Sequence, residues 1–369
     1  MTIDRMILAN ARRAVRQAVG DLLFDPNINL IDFGYPERNG NLVQDELAIR
    51  FHVYQKLADA ALETAIETGV THLIPPSLGE FSTDVPEGTY RPQSYWWGGW
   101  WRPPATNTRI LRVEPLRGGI SISNENRRTY GTLGGLVIDR ATGHEMILSS
   151  WHILRPDRLG RTDKATQSDQ RICQPGRLDG GTPADTVTTL SRDAIAVNLD
   201  AAVATLNGSR RLINDQVELG PVRGVSQAEP GMMVIKSGRR TGVTQGLVTG
   251  IEGVAKIRYG QVDRIIRNVV TIEPGPLLGE VSAPGDSGSI WLEQQSRHAV
   301  GLHFAGSHAP GRGLALDMPA VLEALNVNLA TDVSASIAHS HQSCPRSTEV
   351  DGRGFTLCPD ITSLQELVK

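Results

Sequence analysis

Cysteine is scarce in this sequence: three residues, Cys173, Cys344 and Cys358, in a chain of 369. So few thiols exclude the dense, even disulfide framework that braces many secreted domains, and the expectation is a reducing, cytoplasmic compartment. Long apolar runs are missing too. No stretch reaches the ~18 consecutive apolar residues of a membrane-spanning helix, so no membrane role is expected. Met1 to Leu23 lacks the uncharged core of a secretory leader, because Asp4, Arg5, Arg12, Arg13 and Arg16 interrupt it. An excess of one charge sign is also absent: 37 basic residues against 40 acidic ones leave −3, which calls for no nucleic-acid partner. What remains is the composition of an ordinary globular protein, 40% hydrophobic and 21% charged, long enough for two or three domains.

Against that background one stretch carries chemistry: Ala283-Pro284-Gly285-Asp286-Ser287-Gly288-Ser289-Ile290-Trp291-Leu292. A glycine-flanked turn running into an apolar strand exposes the Ser287 hydroxyl, and the tight backbone at Gly285 lets the amides of Gly285 and Ser287 point into one small space. A serine hydroxyl is a poor nucleophile until an imidazole takes its proton, and the imidazole needs a carboxylate to fix its tautomer. Upstream, Glu145 to Leu154 reads as a strand that delivers His152 at its end. Asp200 heads the apolar run Leu199 to Leu206. Alone, His152 reads equally as a satisfied core histidine and Asp200 as a turn or cap residue. Together with the serine turn they make a candidate His152, Asp200, Ser287 triad.

That order, and the Gly-Asp-Ser-Gly turn, resemble the trypsin/chymotrypsin-like peptidases over about Gly118 to Val327. More narrowly, the chain resembles a bacterial branch similar to the plant narrow-leaf type serine proteases. The narrower likeness rests on Gly131 to Gly143, Gln174 to Gly181, Lys236 to Gly242 and Gly301 to Gly306, and extends weakly to Phe81 to Gly88. The resemblance implies a mainly β fold, a chymotrypsin-like double β-barrel, here with a small N-terminal α/β domain and a C-terminal tail. It implies peptide-bond hydrolysis through an acyl-enzyme, with Gly285 and Ser287 forming the oxyanion hole and no cofactor. The histidine lies in Ser-Trp-His, a departure from the animal enzymes' Ala-Ala-His-Cys. No activation peptide is evident, so conversion by a freed N-terminus is not expected.

The rest of the chain divides by texture. Residues 1–90 hold an amphipathic helix over Thr2 to Phe24, β-type segments around Glu37 to Asn41, and an alanine-rich helix over Leu57 to Glu67. Residues 91–117 form a Trp/Pro-rich strap, with four tryptophans between Trp96 and Trp101 that either pack on the neighbouring domain or anchor a partner or oligomer. Residues 118–327 are short apolar strands punctuated by glycine, closed by a helix over Asp317 to Leu325. Residues 328–369 are a polar tail. His339, His341, Cys344 and Cys358 in that tail are weak zinc candidates at a spacing that matches no strong zinc pattern, or a Cys344–Cys358 pair.

Specificity is approached through Val281, His303, Phe304 and Gly306, the expected pocket. Val281 stands six residues before the nucleophile, where trypsin-like enzymes place an aspartate, so cleavage after Lys or Arg is not implied. Gly301-Leu302-His303-Phe304-Ala305-Gly306 is similar to pockets in which an imidazole bonds Glu or Gln before the scissile bond. His303 reads either that way or as a buried strand histidine bonded to backbone. The expected partners are a protein or peptide substrate and a regulatory protein or a second copy of the chain. The N-terminal domain, which has no catalytic motif, is expected to control access to the cleft. The competing expectation is a catalytically silent binding or scaffold protein on the same fold.

Overall fold

Short β-branched strands with glycine at their ends must bury one face each, and between Leu116 and Leu329 they do so by curling into two antiparallel barrels. The computed structural model describes residues 3–93, 107–155, 170–275, 279–307 and 311–331. In the first barrel the pairing runs Gly131–Thr132, Ser121–Asn124, Arg171–Cys173, Thr186–Asp193, Ala202–Leu206, Glu145–Ser149, Gly135–Asp139 and Val327–Leu329. Leu133 and Gly134 join the two halves of the split strand and bring the sheet round on itself. The second barrel is a closed ring of Met233–Gly238, Ile290–Glu293, His298–Gly306, Gly313–Asp317, Val262–Glu273 and Gly242–Tyr259, the last pairing back with the first. Ile147 and Val203 from one barrel share a continuous core with Ile290, Leu302 and Leu316 from the other. This is the mainly β double barrel expected from the sequence.

The N-terminal α/β unit shares its sheet with the second barrel. Asp4 caps the helix Arg5–Leu22 by accepting the amide of Met6 at 2.7 Å, and Ala11, Val15 and Ala18 form its buried stripe. Strand Ile28–Gly34 pairs with Ala48–Val53 on one side and with Gly242–Tyr259 on the other, Ile31 opposite Val254. Ile31, Phe33 and Phe51 consequently lie in one core with Val281, Trp291 and Val300.

A buried polar network fixes where this unit ends. Asp32 takes both Arg50 (2.5 Å at Nη2) and His52, and the Tyr90 hydroxyl lies 2.7 Å from Nδ1 of His52. Gly250, opposite, has no Cβ that would strike the Arg50–Asp32 pair. Arg312 donates to Glu273 at 2.9 Å and to the Glu87 carbonyl at 2.6 Å, and pairs with Glu37. Buried pairs of this kind orient more than they stabilise, and removing one partner costs about 3–5 kcal/mol. The chain from Glu87 to Tyr90 is thereby pinned, and the next residues leave it towards the barrel seam. The tryptophans of the strap lie outside the described residues, as do His339, His341, Cys344 and Cys358. Among the described residues no helix is long and apolar enough to cross a membrane.

Candidate active site

His152 is placed by a strand and a single helical turn. Glu145–Ser149 ends at the barrel seam, and Trp151–Leu154 carries the imidazole inward. Ser150 donates to the His303 carbonyl at 3.0 Å, tying this turn to the pocket strand of the other barrel. Asp200, just ahead of Ala202–Leu206, is fully buried. Its Oδ2 lies 2.5 Å from Nδ1 of His152, and its Oδ1 accepts the His152 amide at 2.9 Å. The Tyr259 hydroxyl donates to the same Oδ2 at 2.5 Å. Burial alone would push the Asp200 carboxyl up. The charge and hydrogen bonds of His152, then the Tyr259 hydroxyl, outweigh it and hold the group below its usual range. Burial and the Asp200 charge push the Tyr259 phenol well above its own range, so it stays a donor.

Ser287 sits in a turn that only glycine can make. Gly285 (φ +116°) and Gly288 (φ +98°) both lie in the left-handed region, and a Cβ at Gly288 would lie 2.2 Å from the Thr132 carbonyl. Thr132 brackets the turn, its hydroxyl donating to the Gly285 carbonyl and its amide to that of Ser287, both at 2.8 Å. Beneath it the buried Asp286 accepts from Lys236 Nζ (3.0 Å), the Thr241 hydroxyl (2.6 Å) and the amides of Arg240 and Ala283. Burial raises this carboxyl, but the Lys236 charge and the Thr241 hydroxyl prevail and bring it down to about 2. The Lys236 to Gly242 segment is therefore the foundation of the Ser287 turn.

The serine does not touch the histidine. Ser287 Oγ donates to the Phe304 carbonyl at 3.0 Å, and His152 Nε2 is buried with no hydrogen-bond partner among the described residues. The structure brings His152 to Asp200 and leaves the third member turned towards the strand.

The pocket is built around His303. The indole of Trp291 donates to its Nδ1 at 3.3 Å, and because an indole can only donate, the ring hydrogen is on Nε2. Burial, then the nearby Lys236 charge, lowers this imidazole to about 3, so it is neutral. Val281, Ser282 and His303 converge on the open face of Gly313. Phe304 contributes its carbonyl, and its side chain goes to the core.

A residue that the sequence reading left unassigned fills this pocket. Arg91 and Pro92 pair antiparallel with Gly306 and Ala305. Gln93 then donates its amide to the Phe304 carbonyl at 3.1 Å, and its own carbonyl accepts the Gly285 amide at 2.6 Å. Its side chain is buried, with Oε1 2.6 Å from Nε2 of His303 and Nε2 making a long, 3.5 Å contact with the Ser282 carbonyl. Gly306 leaves room for it: a Cβ there would stand 2.3 Å from that amide nitrogen. Tyr259 and Gln93 both escaped the sequence reading, Tyr259 for want of any local motif, Gln93 because the neighbouring tryptophans dominate its segment.

Two barrels with a buried His–Asp pair and a Gly-Asp-Ser-Gly turn at their seam have the fold of the trypsin/chymotrypsin-like serine proteases. Among solved structures, the chain is similar to the Nocardiopsis protease NAPase, at 18% identity over 59% of this chain and 100% of that one, with a TM-score of 0.44. It is similar to Cellulomonas bogoriensis chymotrypsin at 21% identity, 59% and 100% coverage and TM-score 0.41. A glutamic acid specific serine protease that uses a histidine triad in substrate binding matches at 19% identity, 58% and 100% coverage and TM-score 0.43. No family model and no curated protein matches the chain.

Proposed function

We propose that this protein is a serine endopeptidase that hydrolyses peptide bonds through an acyl-enzyme, with Ser287 as nucleophile, His152 as general base and then general acid, and Asp200 as its orienting carboxylate. The observation that carries this reading is the 2.5 Å contact of Asp200 with Nδ1 of His152, which leaves the opposite nitrogen, Nε2, buried and unpaired among the described residues. A buried imidazole nitrogen without a partner is an incomplete arrangement. Rotation of the Ser287 hydroxyl away from Phe304 completes it.

In the reaction, Ser287 Oγ attacks the substrate carbonyl carbon as His152 Nε2 takes its proton. Asp200 holds the imidazolium, and the amides of Gly285 and Ser287 receive the developing oxyanion. His152 returns the proton to the leaving nitrogen, and water then repeats the cycle on the ester. The residue before the scissile bond is glutamine in preference to glutamate. A neutral His303 donates to a side-chain carbonyl, and the Ser282 carbonyl accepts from an amide but repels a carboxylate. The Arg91 to Gln93 strand lies in the path of any external peptide, so regulation by the N-terminal unit is part of the proposal. So are a cytoplasmic location and membership of the bacterial branch that resembles the narrow-leaf proteases.

Labelling with a fluorophosphonate probe tests the core of this reading. Wild-type protein labels and Ser287→Ala does not, and peptides with Gln before the cleaved bond outrun those with Glu, Phe or Lys. A folded wild-type protein that neither labels nor cleaves any peptide is a scaffold and not an enzyme.

A further inference from the structure

The segment ending at Gln93 does more than cover the cleft, because each of its polar contacts falls on a group with a part in the reaction. Its amide meets the Phe304 carbonyl, which also holds the Ser287 hydroxyl. Its carbonyl oxygen lies on the Gly285 amide at 2.6 Å, the position of the oxyanion. Its side chain satisfies His303 in a pocket that Gly306 keeps open. An inert plug has no need to offer its carbonyl to an oxyanion donor. A loop binding there by chance would not bring a glutamine to the one imidazole poised for a side-chain carbonyl. The carbonyl of Gln93 is therefore held against the Ser287 turn by the Gly285 amide, and the residue that follows in the sequence is Ser94.

We propose that the protein's own Gln93–Ser94 peptide bond is its first substrate, cut by Ser287 of the same chain. This rests on the peptidase reading above and adds the identity of a substrate. The Ser287 oxygen forms an ester with the Gln93 carbonyl carbon while its proton passes to His152 Nε2. The bond to the Ser94 nitrogen then breaks as His152 hands that proton over. A water molecule, deprotonated by His152, attacks the ester. Gln93 is released as a free carboxylate and the serine hydroxyl is restored, so that one water is consumed and Ser94 becomes a new amino terminus. The pinning of Glu87 to Tyr90 by Arg312 and the Asp32 network supplies the positioning, so the reaction is intramolecular. The freed carboxyl end of Gln93 stays in the cleft as a product until an external peptide displaces it.

Intact-mass measurement of freshly purified protein under denaturing conditions is the test. Wild type separates into residues 1–93 and a fragment beginning at Ser94, whereas Ser287→Ala stays as the single 40.0 kDa chain. Gln93→Leu, which removes the bond to His303 without touching the serine, slows the cut at least a hundredfold. The half-time is unchanged on tenfold dilution, and wild type added to tagged Ser287→Ala leaves the tagged chain whole. Wild type that labels with fluorophosphonate and cleaves glutamine peptides, yet keeps its 93–94 bond, overturns self-cleavage and leaves the peptidase reading standing. Cutting that persists in Ser287→Ala, or at another bond, also overturns it. A folded protein that neither labels nor cuts overturns both.

Discussion

Trp291 fixes the chemistry of His303: its indole, 3.3 Å from Nδ1, forces the ring hydrogen to the side that faces the pocket. Trp291→Phe frees the imidazole to adopt the other tautomer, which presents an acceptor to the substrate side chain. The loss is one hydrogen bond of about 1 kcal/mol, so kcat/KM on glutamine peptides falls roughly five- to tenfold. Steady-state kinetics on matched Gln and norleucine peptides checks it, because only the former respond.

Asp200→Asn keeps the volume but reverses the polarity at Nδ1 of His152. The imidazole then carries its hydrogen on the wrong nitrogen, and kcat falls by about 10⁴. Tyr259→Phe removes one of three donors to that carboxylate and costs about tenfold. Single-turnover acylation of an ester substrate measures both.

Below the Ser287 turn, Lys236 and Asp286 are both fully buried and 3.0 Å apart. Asp286→Asn leaves an ammonium without its counter-charge and lowers stability by about 3 kcal/mol at pH 7. Lys236→Met combined with Asp286→Asn recovers part of that loss, because no charge is then stranded. Urea unfolding of the two singles and the double gives the coupling.

Acid sensitivity follows from His303, whose imidazole is lowered from 6.5 to about 3 by burial and then by the Lys236 charge. Across that window the unfolded chain binds a proton at this position that the folded protein refuses. Stability therefore rises with pH there and is lost as pH falls below the unfolded value, by at most about 1.4 kcal/mol per pH unit. His303→Asn removes this contribution. Urea unfolding between pH 4.5 and 7.5 gives a shallower slope for the variant than for wild type. Equal slopes refute the assignment.

Deleting residues 1–90 does not yield a smaller folded protein. Ile31, Phe33 and Phe51 complete the core around Val281 and Trp291, and their removal also strips the partner from the edge of Gly242–Tyr259. The truncated chain is expected in the insoluble fraction, and a soluble, active 91–369 fragment contradicts this.

The barrels were legible in the sequence because they depend on a short local pattern, apolar strands between glycines, and the Gly-Asp-Ser-Gly turn at Ser287 is local in the same way. Arg171–Cys173 and Thr186–Asp193 were not, since the longer of them is polar and half exposed and shows no clean alternation. Tyr259 escaped because nothing in its own stretch of sequence marks it, and only the 18-residue length of its strand carries it to Asp200. Gln93 escaped for a different reason: it meets His303 across 210 residues of chain, through backbone pairing that any sequence can make. Nor does composition encode a hydroxyl's rotamer, so the turn of Ser287 towards Phe304 was invisible.

One strand carries an implication for how this protein could change over time. Gly242–Tyr259 spans 18 residues, about 60 Å of extended chain at its ordinary rise, and is shared by everything of consequence. It starts next to the Thr241 that supports Asp286, passes against Ile28–Gly34 through irregular register, and ends in the hydroxyl that holds Asp200. A slip of a single residue inverts the faces of a strand. The front of the molecule is therefore not a cassette to be exchanged among relatives: any replacement must reproduce the pairing of Ile31 with Val254, or it moves Tyr259 away from the carboxylate at the opposite end.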